Sequence, residues 1–104
     1  MKVEVDLDLG HVRLLDYVIV EDAGTMINPM VVDGQVYGGA AQGIGTALFE
    51  EMCFDASGQP LASTLADYHL PLASDLPAIR IEHMETPSPL SRFGQKGIGE
   101  SGAI

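Results

Sequence analysis

Residues 28–51 read Asn-Pro-Met-Val-Val-Asp-Gly-Gln-Val-Tyr-Gly-Gly-Ala-Ala-Gln-Gly-Ile-Gly-Thr-Ala-Leu-Phe-Glu-Glu, and this stretch decides the fold. Asn28 can cap orphan amides, and proline at the first helical position loses no useful hydrogen bond. A helix is therefore expected from Pro29 to about Glu51. Gly34, Gly38, Gly39, Gly43 and Gly45 lie inside it, each costing about 1 kcal/mol relative to alanine. Propensity alone would not make this helix, so something must come close to its backbone. Gln35, Gly38, Gly39 and Gln42 recur at helical spacing and give one face with two amides separated by bare backbone. Val32, Val36, Ala40, Ile44, Leu48 and Phe49 fill much of the remaining surface, which predicts burial on most sides.

Upstream, Val3 to Leu9 alternates apolar and acidic residues, the period of a strand with one wet face. Gly10 and His11 read as a turn. Val12 to Val20, rich in β-branched residues, reads as the hairpin partner and ends in a loop from Glu21 to Ile27. Downstream, Met52 to Phe54 reads as a short strand and Asp55 to Gly58 as a tight turn. Tyr68 to Pro77 is irregular, and Ala78 to Met84 alternates again. Thr86 to Gly99 has no periodicity and carries Pro87 and Pro89; loops of this length are usually functional or disordered. The predicted class is α+β, with short antiparallel strands packed on one long Gly-rich helix. No repeat or linker appears, so residues 1–104 form one domain or part of one.

Composition excludes several roles. The 104 residues hold 15 acidic and 5 basic side chains, a formal net charge of −10. Five scattered cations cannot supply the footprint that binding to phosphates requires, so nucleic acid and anionic membranes are poor partners. With 46% hydrophobic and 19% charged residues, the chain is not composed like a disordered acidic tail. The longest uncharged run, Gly34 to Phe49, is shorter than the roughly 20 apolar residues a bilayer needs, so no membrane insertion is expected. Cys53 is alone, which permits no internal disulfide or CxxC motif. No basic and apolar leader opens the chain, and the cytoplasm is the expected compartment. His11, His69 and His83 stand far apart without ligand spacing, so no protein metal site is expected.

Nine of the twelve glycines fall between Gly34 and Gly45 or between Gly94 and Gly102. GxxxG matches in the first segment mean close helix packing only inside a long apolar span. Gly97 to Gly102 matches GxGxxG, but no buried strand precedes it. A third reading presses backbone and side-chain amides of both segments against one large polar ligand, with Glu100 beside it as a general base. A solvated loop, or an acid interacting with a helix dipole, would account for Glu100 equally simply.

The segments Asp33 to Gly45, Glu82 to Leu90 and Gly94 to Gly102 together closely resemble the large subunit of molybdenum hydroxylases: xanthine dehydrogenase, aldehyde oxidoreductase and, nearest in wording, the aerobic carbon monoxide dehydrogenase type. The resemblance runs along essentially the whole chain. It implies a C-terminal segment of a larger molybdopterin-binding domain, and oxidative hydroxylation of an aldehyde, a heterocycle or carbon monoxide with water-derived oxygen. It further implies a molybdenum–molybdopterin cofactor, commonly the cytosine dinucleotide form. Gln35 would donate to that cofactor, with Gly38, Gly39, Gln42, Gly97 and Gly99 lining it and Lys96 beside them, though Lys96 and Arg92 could counter either the anionic cofactor or simply Glu100. Glu100 would be the base that takes a proton from the attacking oxygen. Implied partners are the remaining large-subunit segments and iron–sulfur and FAD subunits or domains. The family's large subunit is several times longer, so the alternative is an inactive fragment or a small acidic interaction domain that keeps the motifs without cofactor. Without those segments, Thr86 to Ile104 is expected to be dynamic, or the chain to self-associate through apolar surface.

Overall fold

The computed structural model describes residues 1–103; Ile104, at the end of the segment expected to be dynamic, lies outside them. The elements are β1 (Lys2–Asp6), β2 (His11–Asp22), α1 (Pro29–Leu48) and β3 (Ile79–Met84). The strands form one sheet in the order β1-β2-β3.

β1 and β2 make the expected antiparallel hairpin, from Lys2↔Asp16 to Asp6↔His11. Its turn is built by Asp6, whose Oδ1 accepts from the amides of Asp8 at 2.9 Å and Leu9 at 3.0 Å. Gly10 takes φ 67°, a left-handed conformation that glycine adopts without Cβ strain. His11 already belongs to the strand.

The third strand corrects the sequence reading. β3 runs parallel to β2, from Tyr17↔Ile79 to Asp22↔Met84, so the sheet is mixed rather than antiparallel. Alternation reports which face is buried and carries no information on direction. The helix and the long segment after it provide the crossover that parallel pairing requires. β2 thereby serves two partners, pairing through residues 11–16 with β1 and through 17–22 with β3.

α1 begins as expected, with the Asn28 side chain accepting from the Val31 amide and Pro29 opening the helix. It ends at Leu48, before the expected Glu51, because the amides of Phe49 and Glu50 both turn back to the Gly45 carbonyl, at 2.9 and 2.8 Å. Val32, Val36, Ala40 and Ile44, four apart, make one buried row and form the core with Ala23; Val36 is fully buried. Tyr37 donates to the Ile79 carbonyl at 3.1 Å, and His83 Nε2 meets Asp33 Oδ1 at 2.7 Å, joining α1 to β3. Met30, Val31, Tyr37 and Leu48 remain exposed. The helix is thus buried in part and not on most sides, since the three-stranded sheet and the backbone of residues 101–103 leave the rest of its surface uncovered.

Met52 to Phe54 forms no strand. Phe54 makes an isolated bridge to Pro60 across the expected Asp55–Gly58 turn, where Asp55 Oδ1 accepts from Ser57 and Gln59. The Ser57 hydroxyl and these amides hold the Asp55 carboxyl below its ordinary range. Cys53 is a half-buried free thiol, pushed up by burial and by neighbouring Glu51. Among the described residues no helix is long and apolar enough to cross a membrane.

The radius of gyration is 17.4 Å, against about 13 Å for a compact chain of 100 residues. Leu15, Val18, Val20 and Met84 lie exposed on the sheet. So thin a body leaves much of its apolar surface uncovered.

Candidate functional site

The segment after β3 is irregular but closely bonded. Residues 94–96 lie beside the end of β2: Thr25 donates to the Gly94 carbonyl at 3.0 Å and Lys96 to the Ala23 carbonyl at 2.9 Å. The Gly94 carbonyl also accepts from Ser88 at 2.9 Å. Gly24, at φ 62°, lets this happen, because a Cβ there would strike that carbonyl. Asp22 gathers the junction. Its Oδ1 accepts from the amides of Gly24 at 2.9 Å and Thr86 at 3.0 Å, and its Oδ2 from Lys96 Nζ at 2.8 Å. Lys96 first, then these amides, hold its carboxyl well below the usual carboxylate range, since donors to the charged form favour it.

From this junction the chain reaches α1. Gln35 Nε2 donates to the Gly99 carbonyl at 2.8 Å. Ser101 then lies with its backbone over Gly39, and Ala103 over Gly43. Glu100, Ser101, Gly102 and Ala103 form a turn in which the Ala103 amide donates to the Glu100 carbonyl at 3.3 Å, with Gly102 at φ 85°.

The two segments singled out from sequence meet where Gln35 bonds the Gly99 carbonyl and Ser101 lies over Gly39. Gln35, Gly38 and Gln42 are exposed on α1, and Gly97, Gly99 and Glu100 are exposed on the tail. A Cβ at Gly38, Gly97 or Gly99 would meet nothing within 4 Å, so bare backbone faces open space at all three. Among the described residues, Gln35 makes no hydrogen bond through its second N–H or its carbonyl oxygen, and the Gln42 side-chain amide makes none. Two residues stand differently. Gly39 is buried beneath the tail, and Lys96 has its charge answered by Asp22. Arg92 lies over the Phe93 ring, 5.2 Å from its centroid. Side-chain amides and open backbone are chemistry that could receive a large polar ligand, and Glu100, next in the chain to Gly99, is an exposed carboxylate. The GxGxxG run at Gly97 to Gly102 lies in loop and turn, not at the mouth of a helix. Among the described residues no group of three His, Cys, Asp or Glu could hold a metal.

Sequence reasoning missed Asp22. The signal was present in Asp22-Ala23-Gly24, the pattern of an Asx turn. It also missed the pairing of His83 with Asp33, residues 50 apart, for which local sequence carries no signal.

Residues 1–77 match the family model of the molybdopterin cofactor-binding domain. The chain is 43% identical over 102 residues to the nicotine 6-hydroxylase large subunit of Paenarthrobacter nicotinovorans, covering 98% of this chain and 12% of that protein. It is 40% identical over 99 residues to the carbon monoxide dehydrogenase large chain of Hydrogenophaga pseudoflava, covering 95% and 12%. The crystal structure of quinoline 2-oxidoreductase from Pseudomonas putida 86 superimposes with a TM-score of 0.92 at 52% identity, over 97% of this chain and 13% of that one. The chain thus spans about an eighth of the length of these relatives. Glu100 falls beyond the family-model match and within the span shared with the relatives.

Proposed function

The chain belongs to the molybdopterin cofactor-binding domain family, and on that premise we propose that residues 1–104 are one partial domain, the C-terminal cofactor-binding segment, of the catalytic large subunit of a molybdenum hydroxylase-type oxidoreductase. The observation that carries this reading is the hydrogen bond from Gln35 to the Gly99 carbonyl, 2.8 Å. It joins the amide-bearing face of α1 to the peptide next to Glu100.

In this reading Gln35 and Gln42 hold a molybdenum–molybdopterin cofactor, in its cytosine dinucleotide form, through their free amides. Gly38, Gly97 and Gly99 admit it against bare backbone. Gly39 serves from beneath, by letting the tail approach. Lys96 acts at one remove, its ammonium held by Asp22. When bound, the cofactor supplies the redox centre that takes electrons from the substrate. Glu100 is the base: exposed at the turn, its carboxylate accepts a proton at one side-chain oxygen and returns it to solvent. The reaction class is oxidative hydroxylation of an aldehyde, a heterocycle or carbon monoxide with water-derived oxygen.

The uncovered apolar surface supports partners: the remaining large-subunit segments, then iron–sulfur and FAD components, or in their absence a second copy. The free Cys53 thiol suits a reducing cytoplasm. The same thin body supports a second reading, that the chain by itself is an acidic interaction domain that has kept the motifs without cofactor.

Elemental analysis separates the two. The first reading expects molybdenum in stoichiometric amount when the chain is co-expressed with the remaining subunit segments, and Glu100→Gln to keep the metal while turnover falls by orders of magnitude, about a hundredfold or more for a lost general base. Metal-free assembly would leave the second reading standing, and full turnover in the Glu100→Gln variant would remove Glu100 as the base.

A further inference from the structure

We propose that Gly39, Gly43 and Gly102 are positioning residues: they form a close-packed rail that seats the tail on α1 and so places Glu100. This rests on the reading of Glu100 as the base, and it gives these glycines a role other than contact with the cofactor.

The five glycines of α1 are not equivalent. A Cβ at Gly34 or Gly38 would meet nothing within 4 Å. One at Gly39 would strike the carbonyl oxygen of Ser101 and lie 2.9 Å from its carbon, and one at Gly43 would lie 2.5 Å from the Ala103 carbonyl oxygen. From the other side, a Cβ at Gly102 would lie 2.7 Å from the Val36 carbonyl oxygen, at φ 85° where a side chain is strained in any case. In each case the obstacle is backbone, which cannot rotate aside as a side chain would.

The contacts have a register. Gly99 meets Gln35, Ser101 meets Gly39 and Ala103 meets Gly43. The tail advances two residues while the helix advances four, about one turn, so it follows a single stripe of α1 in the helix's own direction. Glu100 sits between Gly99 and Ser101, both held against that stripe. Its main chain can shift only if the rail releases the tail. Mid-helix glycine is unfavourable, and the rail is the reason these two positions tolerate it.

The test compares Gly39→Ala with Gly34→Ala. Gly34 is exposed and faces open space, so Gly34→Ala introduces alanine into the same helix without touching the tail. Amide hydrogen exchange is read over residues 97–103 in the purified protein, and turnover is read in the cofactor-loaded assembly with the remaining subunit segments. Gly39→Ala is expected to accelerate exchange across the tail and to lower kcat about a hundredfold with KM changed far less, the consequence of misplacing a reacting group by about 1 Å. Gly34→Ala should match the parent in both. Gly43→Ala, whose contact lies three residues beyond Glu100, should fall between, and it provides the graded readout if Gly39→Ala fails to fold. Parental exchange in both Gly39→Ala and Gly43→Ala would overturn the rail. So would a loosened tail with undiminished kcat in an enzyme that Glu100→Gln inactivates. If Glu100→Gln remains active, the base assignment fails instead, while the exchange comparison still decides whether the rail exists.

Discussion

Replacing Gln35 by leucine removes one tether of the tail while sparing the helix. Leucine and glutamine are comparable helix formers, and the position is exposed. The interaction lost is the 2.8 Å hydrogen bond from Nε2 to the Gly99 carbonyl. A neutral amide–carbonyl bond contributes about 1 kcal/mol net. Since about 1.4 kcal/mol is a factor of ten in an equilibrium constant, the population with an undocked tail rises about fivefold. Amide exchange over residues 97–103 should accelerate by that factor when reclosing outruns exchange, because local opening is then read as an equilibrium. The other anchors remain: Asp22 still holds Lys96 and Thr86, and the carbonyl of Ser101 still lies on Gly39. The change should therefore stay in the tail, and the amides of the β2–β3 ladder should keep the parental rate. Unchanged tail exchange would refute the tether, and so would an equal acceleration across β2 and β3, which would mean that leucine had destabilised the whole domain.

Val36→Ala is the global counterpart, since Val36 is fully buried in a core that, among the described residues, has five apolar side chains. Losing its two methyl groups and leaving a partial cavity should cost about 2–3 kcal/mol, read as a fall in Tm of about 10–20 °C. A fall below about 4 °C would mean that the core collapses freely around the gap. Asp22→Asn should cut Lys96 loose at every pH, seen as a shift of the Lys96 side-chain resonance and faster exchange at Thr86. The sign of the pH dependence follows from a folded carboxyl held below its unfolded value of about 3.9. Its stabilising effect is fully present above that value and disappears as pH falls through the depressed folded one. Acid titration of the parent should accordingly show a loss of stability in strong acid that the Asn variant lacks, and identical acid profiles would contradict the hub.

The legible parts of this protein were those encoded locally. The Asn28-Pro29 start, the Asp55–Gly58 turn and the existence of β1, β2 and β3 each depend on a few adjacent residues and lie where their patterns placed them. The strand ends do not: β1 stops at Asp6 rather than Leu9 and buries neither face, and β2 runs on to Asp22 through the start of the expected loop. The candidate site was read from motifs, which carry no geometry. Gln35, Gly38, Gly39, Gln42, Lys96, Gly97, Gly99 and Glu100 stood out in motifs, but nothing in the motifs said that Gln35 touches Gly99 across 64 residues, that Gly39 lies under the tail or that Lys96 pairs with Asp22. The direction of β3 was misread because a strand has the same alternation read either way.

The sequence by itself determined the helix, the existence of β1, β2 and β3, the acidic character and the family, because capping, periodicity, charge and motif order are properties of the chain. The tertiary structure alone decided what each glycine is for. Gly38 and Gly39 are adjacent and identical in composition, yet one faces open space and the other the carbonyl of Ser101. On a helix, neighbours in sequence lie about 100° apart around the axis. Which of them meets the tail depends on where the rest of the chain returns, and that is settled by Asp22, Lys96 and the parallel pairing of β3, all contacts between residues far apart in sequence.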